Sequence, residues 1–133
     1  MSDSTLRGFL AFFGVLNLVF GVIGLVDPGT FFDEIGKYPP ENDHYIGDVG
    51  AFQAAAGAVF LLAVRYPSWR VPVLVFGAIF YGLHALNHLF DIGEASSDAR
   101  GIFDTVALAA GAAVLAYLAK VAAALRPGDA TGP

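Results

Sequence analysis

Two histidines stand on one face of a strongly apolar segment, GLHALNHLFD, at residues 82–91. His84, Asn87, His88 and Asp91 occupy positions i, i+3, i+4 and i+7, which share one side of an α-helix. Two imidazoles one turn apart can share a metal ion, exchange protons or hold a polar ligand. Because an ionisable side chain is costly in lipid, we expect this stripe to face protein or water.

Two aspartates are placed to meet the histidines. Asp48 and Asp104 each stand near the start of another apolar segment, at the same predicted depth as His88. The helix macrodipole favours an anion in the first turn of a helix, which explains each aspartate without any ligand. If both turn inward, they complete a pocket, which His44 could join from above. The predicted ligand-binding residues are Asp48, His84, Asn87, His88, Asp91 and Asp104.

A divalent metal ion is one candidate occupant of this pocket. His84 and His88 have the spacing of two metal ligands, and Asp48 and Asp104 could complete the coordination or orient the imidazoles. The chain has no cysteine, which excludes thiolate ligands, iron–sulfur clusters and disulfides. Haem is disfavoured because two histidines on adjacent turns of one helix cannot bind its opposite faces.

A polar-headed amphiphile such as a quinone or a lipid is the second candidate, because ligand sites usually have apolar walls and a few converging polar groups. A network that only holds helices together explains the same residues. Asn87, Asn17 and Gln53 are typical of such interhelical hydrogen bonds. The predicted aromatic rim of the pocket comprises Phe52, Phe80, Tyr81, Phe90 and Phe103.

The composition indicates that a lipid bilayer surrounds this protein. Hydrophobic residues make up 56% of the 133 residues and charged residues only 14%, against roughly 25% charged in soluble domains. A net charge of −5 without a basic patch excludes nucleic acid as a partner. We expect one membrane domain over residues 1–133, with the bilayer as its main partner. A homo-oligomer or a complex with a membrane partner subunit is compatible with the sequence.

Four apolar segments predict the fold. They cover about residues 6–26, 45–64, 71–90 and 102–125, and roughly 20 helical residues cross the hydrocarbon core of a bilayer. A lone segment in lipid satisfies its backbone only as a helix, so the predicted fold class is an all-α integral membrane four-helix bundle. Small residues permit close helix contacts. They include Gly14, Gly21, Gly24, Gly50, Ala54, Gly57, Ala58, Ala109, Gly111, Ala112 and Ala113.

Lysine and arginine are distributed unevenly between the two sides of the predicted bundle. Five lie on the side of the chain termini, whereas only Lys37 and Arg100 lie on the other. The positive-inside rule therefore predicts both termini in the cytoplasm. The preference for Arg over Lys and the abundance of Ala and Gly are typical of a bacterial chain, so we expect the bacterial plasma (inner) membrane. The tail at 126–133 is predicted to be flexible.

The outer loop, residues 27–44, contains a short apolar turn at residues 30–35, TFFDEI, with Thr30 as its predicted N-cap. The phenylalanines of this turn could anchor it at the membrane surface or cover the outer mouth of the bundle as a lid. Tyr38 and Tyr45 fit an outer aromatic belt.

The inner half of the predicted bundle is free of ionisable residues. Segments 10–13, 58–64, 73–80 and 107–116 contain none. A channel or transporter needs groups that solvate its cargo at each depth. We therefore expect a pocket that opens outward and is closed below, and no transport path within one subunit.

Two stretches, GDVGAFQAAAGAVFLLAVR at residues 47–65 and HALNHLFD at residues 84–91, resemble a group of uncharacterised actinobacterial four-helix membrane proteins. That group is similar in outline to the DoxX-like proteins, and the resemblance covers about residues 8–120. Asp48, His84 and His88 are the positions that match.

The resemblance implies a four-helix membrane fold and, from the DoxX-like proteins, a link to quinone-dependent sulfur oxidation. The third span of the group runs His-x-x-x-His-x-x-His, and here Asp91 stands where the third histidine would be. Three functions follow as alternatives. The pocket binds a metal ion or a small polar-headed ligand, the chain is a quinone-linked redox accessory subunit, or it is a purely structural partner subunit. The residues assign no enzymatic activity.

Overall fold

The computed structural model describes residues 1–125, and the predicted tail at 126–133 lies outside them. Every regular element in this range is helical. Helices α1, α3, α4 and α5 are each long and apolar enough to cross a membrane, which confirms the predicted all-α membrane bundle. The helices are α1 Asp3–Val26, α2 Pro28–Glu34, α3 Asp43–Arg65, α4 Arg70–Phe90 and α5 Asp98–Ala124, with 3₁₀ turns at Pro67–Trp69 and Ile92–Glu94.

Polar side chains mark where the helices begin. The first N–H groups of a helix have no partner within it, and a capping side chain satisfies one of them. In four of the five helices the capping oxygen accepts a hydrogen bond from the N–H three residues later. These caps are Ser2, Asp27, Asn42 and Ser97.

The predicted start of the short outer helix was wrong. Asp27, not Thr30, is its N-cap, and Pro28 occupies the first helical position, where a proline is well tolerated. The Thr30 hydroxyl instead donates to the Asp27 carboxylate at 2.8 Å. Because of this earlier start, Phe31 packs against Gly24 and Gly36 and is only 7% exposed. Phe31 therefore covers the end of α1 and does not lie on the membrane surface.

Helices α1 and α3 form a close pair, because small residues face each other. A Cβ atom added to Gly21 would lie 2.3 Å from Ala54 N, and one added to Gly57 would lie 2.5 Å from Leu18 N. The two backbones are therefore in direct contact, as the small residues of the first two spans predict. Helices α4 and α5 form the second close pair.

The two helix pairs share a core in the half of the bundle that carries the N-terminus and the 66–69 connection, here called the terminal end. Phe13 of α1 stacks on Phe60 of α3 at 6.0 Å and meets Tyr81 of α4 edge-on at 5.7 Å. Leu115 of α5 is fully buried beside them. Large apolar side chains thus fill this half of the bundle.

Asn17 adds a polar link between the pairs. Its side chain is 1% exposed, and its Nδ2 donates to the Phe13 carbonyl at 2.8 Å and to the Tyr81 hydroxyl at 3.0 Å. This interhelical hydrogen bond agrees with the predicted role of Asn17 as a helix contact.

The outward faces of the helices carry large apolar side chains. Leu83, Val106 and Ile79 are 63%, 61% and 57% exposed. Phe90 and Phe103 are 84% and 65% exposed, so they belong to this outer surface and not to the predicted rim of a pocket. Such a surface requires an apolar solvent, and four candidate spans make this a multi-pass membrane protein.

Candidate functional site

The two histidines of α4 form a hydrogen-bonded pair at the end of the bundle that carries residues 27–42 and 91–97, here called the loop end. The Nε2 atoms of His84 and His88 lie 3.0 Å apart, and the ring centroids lie 4.7 Å apart. Both side chains are half-buried. One proton lies between the two nitrogens, because a neutral imidazole has one donor and one acceptor.

A tyrosine from the outer loop extends this pair. The Tyr38 hydroxyl lies 2.5 Å from His88 Nδ1, and its ring meets the imidazole edge-on at 4.7 Å. The Ser96 N–H donates to the Lys37 carbonyl at 2.9 Å, so the loop is also fixed through its backbone. Tyr38 therefore belongs to the site.

Asp104 and Arg100 of α5 continue this line of polar side chains. Arg100 Nε donates to Asp104 Oδ2 at 2.8 Å, and Arg100 also donates to the Ile35 carbonyl of the loop. Burial and the neighbouring Asp104 carboxylate raise the pKa of Tyr38 above its ordinary value of 10.0. We call these residues the polar row: Arg100, Asp104, Tyr38, His88 and His84.

A groove between α3 and α4 adjoins the polar row at His84. Its volume is about 400 Å³, and its walls are mostly apolar. Phe52 and Phe80 lie 4.8 Å apart between ring centroids, and the His84 ring lies 5.6 Å from Phe80. All of the lining residues belong to these two helices, so the groove opens at the side of the bundle and not at its loop end. They are Asp48, Val49, Phe52, Phe80 and His84.

A second cavity of about 260 Å³ lies under the outer loop. Tyr38 and Phe31 contribute to its loop side, and Tyr45 and Val49 contribute from α3. Val49 lines both spaces, so the cavity and the groove adjoin. The predicted cup that opens straight outward is therefore replaced by a lateral groove and a loop-covered cavity.

Comparisons with protein-family models, curated proteins and solved structures give no match for this chain. The DoxX-like resemblance consequently stays a prediction.

Three of the predicted site residues do not join the polar row. Asp48 is 69% exposed at its side chain and pairs loosely with His44 at 3.7 Å, at the edge of the groove. Asn87 is exposed and donates to Asp91 Oδ2 at 3.1 Å. The predicted stripe on α4 is thus divided, since only its two histidines turn toward the loop and the groove.

The four predicted metal ligands, His84, His88, Asp48 and Asp104, are not brought together. Within residues 1–125 no group of three or more histidine, aspartate or glutamate side chains is arranged to hold a metal ion. Asp104 is already paired with Arg100. The metal-site prediction therefore gains no support from this geometry.

Two members of the polar row were not among the predicted site residues. Arg100 stands four residues before Asp104, a spacing at which opposite charges meet on a helix, so this pair was visible in the sequence. Tyr38 lies 50 residues from His88. The path of an irregular loop decides that contact, and no sequence pattern indicates it.

Proposed function

We propose that this protein binds a small amphiphile with a polar head, and that the molecule occupies the groove between α3 and α4. The observation that carries this proposal is the position of His84 in the groove wall. Phe52, Phe80 and Val49 supply apolar contacts, and His84 supplies a hydrogen-bonding group at one end.

The size and direction of the groove suit a ligand that dissolves in lipid. Its volume of about 400 Å³ falls within the roughly 300–1,000 Å³ of small-molecule sites. The opening lies between two helices that cross the membrane, so a lipophilic molecule reaches it from the bilayer. The solid core at the terminal end supports a binding role and gives no support to a transport path.

Quinones and single-chain lipids are the ligand classes that fit this description. A planar head can lie against the Phe52 and Phe80 rings, because offset aromatic contacts are favourable. The DoxX-like resemblance would make a quinone-linked accessory subunit the specific form of this function. We therefore choose a quinone as the first probe and a lysolipid as the second.

The test measures ligand-induced stabilisation of the protein in lipid nanodiscs. A ligand that binds only the folded state stabilises it by about 2.7 kcal/mol at a hundredfold excess over Kd. We expect decylbenzoquinone or lysophosphatidylcholine to raise the unfolding temperature. Val49→Trp fills the groove and should abolish this shift, whereas Val22→Trp on the outer face of α1 should keep it.

Two results would refute the proposal. One is the absence of any shift with both probes, which would favour a purely structural role for the polar row. The other is an equal shift in wild type and Val49→Trp, because binding would then take place elsewhere on the protein.

A further inference from the structure

Four aromatic side chains line the cavity under the outer loop. They are Phe31, Phe32, Tyr38 and Tyr45. Phe31 is only 7% exposed, whereas Tyr45 at the start of α3 is 67% exposed, so the cavity is closed on its inner side and reaches water at the loop end. The face of an aromatic ring attracts a cation that lies within about 6 Å of the ring centroid. Aromatic walls next to water are therefore suited to an organic cation.

The chain around this cavity is acidic. Residues 27–48 contain six carboxylate side chains and one lysine. Lys37 stands directly beside a lining residue in the sequence, and so do four of the carboxylates, at a distance of about 3.8 Å between consecutive Cα atoms. The negative charges outnumber the positive one, and such a field raises the local concentration of cations. The four carboxylates are Asp33, Glu41, Asp43 and Asp48.

The polar side chains of the lining favour a cation without N–H groups. Asn42 Oδ1 accepts the Tyr45 N–H at 3.2 Å as the cap of α3, and the Tyr38 hydroxyl is hydrogen-bonded to His88 Nδ1. The lining itself contains no carboxylate. A primary ammonium has three donors that need acceptors, and an unmade hydrogen bond is costly. A quaternary ammonium has none, so aromatic contacts satisfy it.

We infer that the cavity under the outer loop binds a trimethylammonium group, such as that of choline or of a choline lipid head. Its volume of about 260 Å³ lies just below the roughly 300–1,000 Å³ of small-molecule sites, which suits a head group or a small solute. This site is separate from the groove of the proposed function and does not depend on it. Because Val49 lines both spaces, a single-chain lipid with a choline head would fill the two together.

Three small probes test the inference on protein in uncharged dodecylmaltoside micelles, with empty micelles as the blank. Choline carries the trimethylammonium group, ethanolamine keeps the charge without the methyl groups, and dimethylbutanol keeps the shape of choline with carbon in place of nitrogen. Since one exposed cation–π contact corresponds to roughly a twofold to fivefold change in affinity, we expect choline to bind at least about fivefold more tightly than either analogue. Saturation-transfer NMR measures the three affinities. Equal binding of choline and dimethylbutanol would overturn the inference.

Tyr45 is the ring to replace, because it is exposed and not part of the helix core. Tyr45→Leu removes the ring and should weaken choline binding roughly twofold to fivefold, whereas Tyr45→Trp should keep or strengthen it, since Trp is the best cation–π partner. Tyr117→Leu is the matched control, because Tyr117 on α5 is 60% exposed and does not line the cavity. Unchanged affinity in Tyr45→Leu would contradict the assignment of choline to this cavity.

Two lysolipids distinguish the source of the trimethylammonium group. Lysophosphatidylcholine and lysophosphatidylethanolamine differ only in the three methyl groups on nitrogen, and both are added to protein in phosphatidylglycerol nanodiscs. A larger rise of the unfolding temperature with the choline lipid identifies a lipid head as the ligand. Equal shifts, together with selective binding of choline, identify a free solute.

The outcomes separate this inference from the proposed function. If choline shows no preference over its analogues while the quinone or the lysolipid still stabilises the wild type and not Val49→Trp, the inference fails and the proposed function stands. If choline binds selectively while neither amphiphile shifts the unfolding temperature, the proposed function falls and the trimethylammonium site stands.

Discussion

The Tyr38 hydroxyl lies 2.5 Å from Nδ1 of His88, although 50 residues separate the two in sequence. This contact joins the outer loop to the membrane-spanning α4 and makes the loop part of the site. Since Arg100 also reaches the Ile35 carbonyl, the loop is tied to both helices of the second pair.

The Tyr38 contact should lose its stabilising effect at alkaline pH. The pKa of Tyr38 is raised above 10.0 in the folded protein, mainly by burial and by Asp104. A raised pKa contributes stability that is present below pH 10 and is lost as the pH rises through the folded value. The difference in free energy of unfolding between wild type and Tyr38→Phe should therefore shrink above pH 10. Tyr45→Phe, at an exposed position, is the control, and a Tyr38→Phe difference that stays constant with pH would contradict the assignment.

The backbone contact between α1 and α3 should tolerate no side chain. Gly57→Leu and Gly21→Leu place atoms where Leu18 N and Ala54 N already lie. Overpacking of this kind costs roughly 1–3 kcal/mol, measured as unfolding in mixed detergent micelles. Gly8→Leu is the matched control, because no atom lies within 4 Å of its added Cβ. Equal stability of Gly8→Leu and Gly57→Leu would show that the helices do not touch there.

Asn17 and Tyr81 should be energetically coupled. Asn17 Nδ2 donates to the Tyr81 hydroxyl at 3.0 Å in the middle of the bundle. Interhelical hydrogen bonds in membranes contribute about 0.6 kcal/mol on average, up to about 1.7 kcal/mol. A double-mutant cycle with Asn17→Leu and Tyr81→Phe should give a coupling energy in that range. Additive effects of the two substitutions would exclude the hydrogen bond.

The orientation of the bundle is open to a direct test, because the chain has no cysteine of its own. The positive-inside rule predicts cytoplasmic termini and outer loops that face away from the cytoplasm. A membrane-impermeant maleimide should then label Gly93→Cys in intact bacterial cells and leave Ser2→Cys unlabelled until the cells are opened. Gly93 is exposed, and the space around its Cβ is empty. Labelling of Ser2→Cys alone in intact cells would reverse the predicted orientation.

The main features of the fold follow from the sequence. Apolar segments of membrane-spanning length require helices whatever their neighbours are, because lipid leaves the backbone no other partner. Glycines such as Gly21 and Gly57 also mark the α1–α3 contact, since they have no other use in a helix that faces lipid. The start of α2 was mispredicted because Asp27 and Thr30 are both good caps, and the proline between them decides for Asp27.

The site was predicted only in part, because depth along a helix does not determine direction around it. Asp48 lies near the depth of the histidines, but it stands two residues before Gly50, which contacts α1. Two residues turn a helix by roughly 200°, so Asp48 points away from α1 and to the surface. His84 and His88 meet because both belong to one helix. Tyr38 reaches them through a loop whose course depends on Phe31, Ile35 and Lys37 together.

The arrangement of helices as two close pairs also has a consequence for biogenesis. The close packing of α1 with α3 and of α4 with α5 lies within the two halves of the chain, on either side of the turn at Pro67–Trp69. Each half can enter the bilayer as a finished hairpin, and the halves then dock through Phe13, Phe60 and Leu115. A chain cut at Ser68 and produced as two co-expressed fragments should therefore reassemble, with the severed turn as its only lost connection.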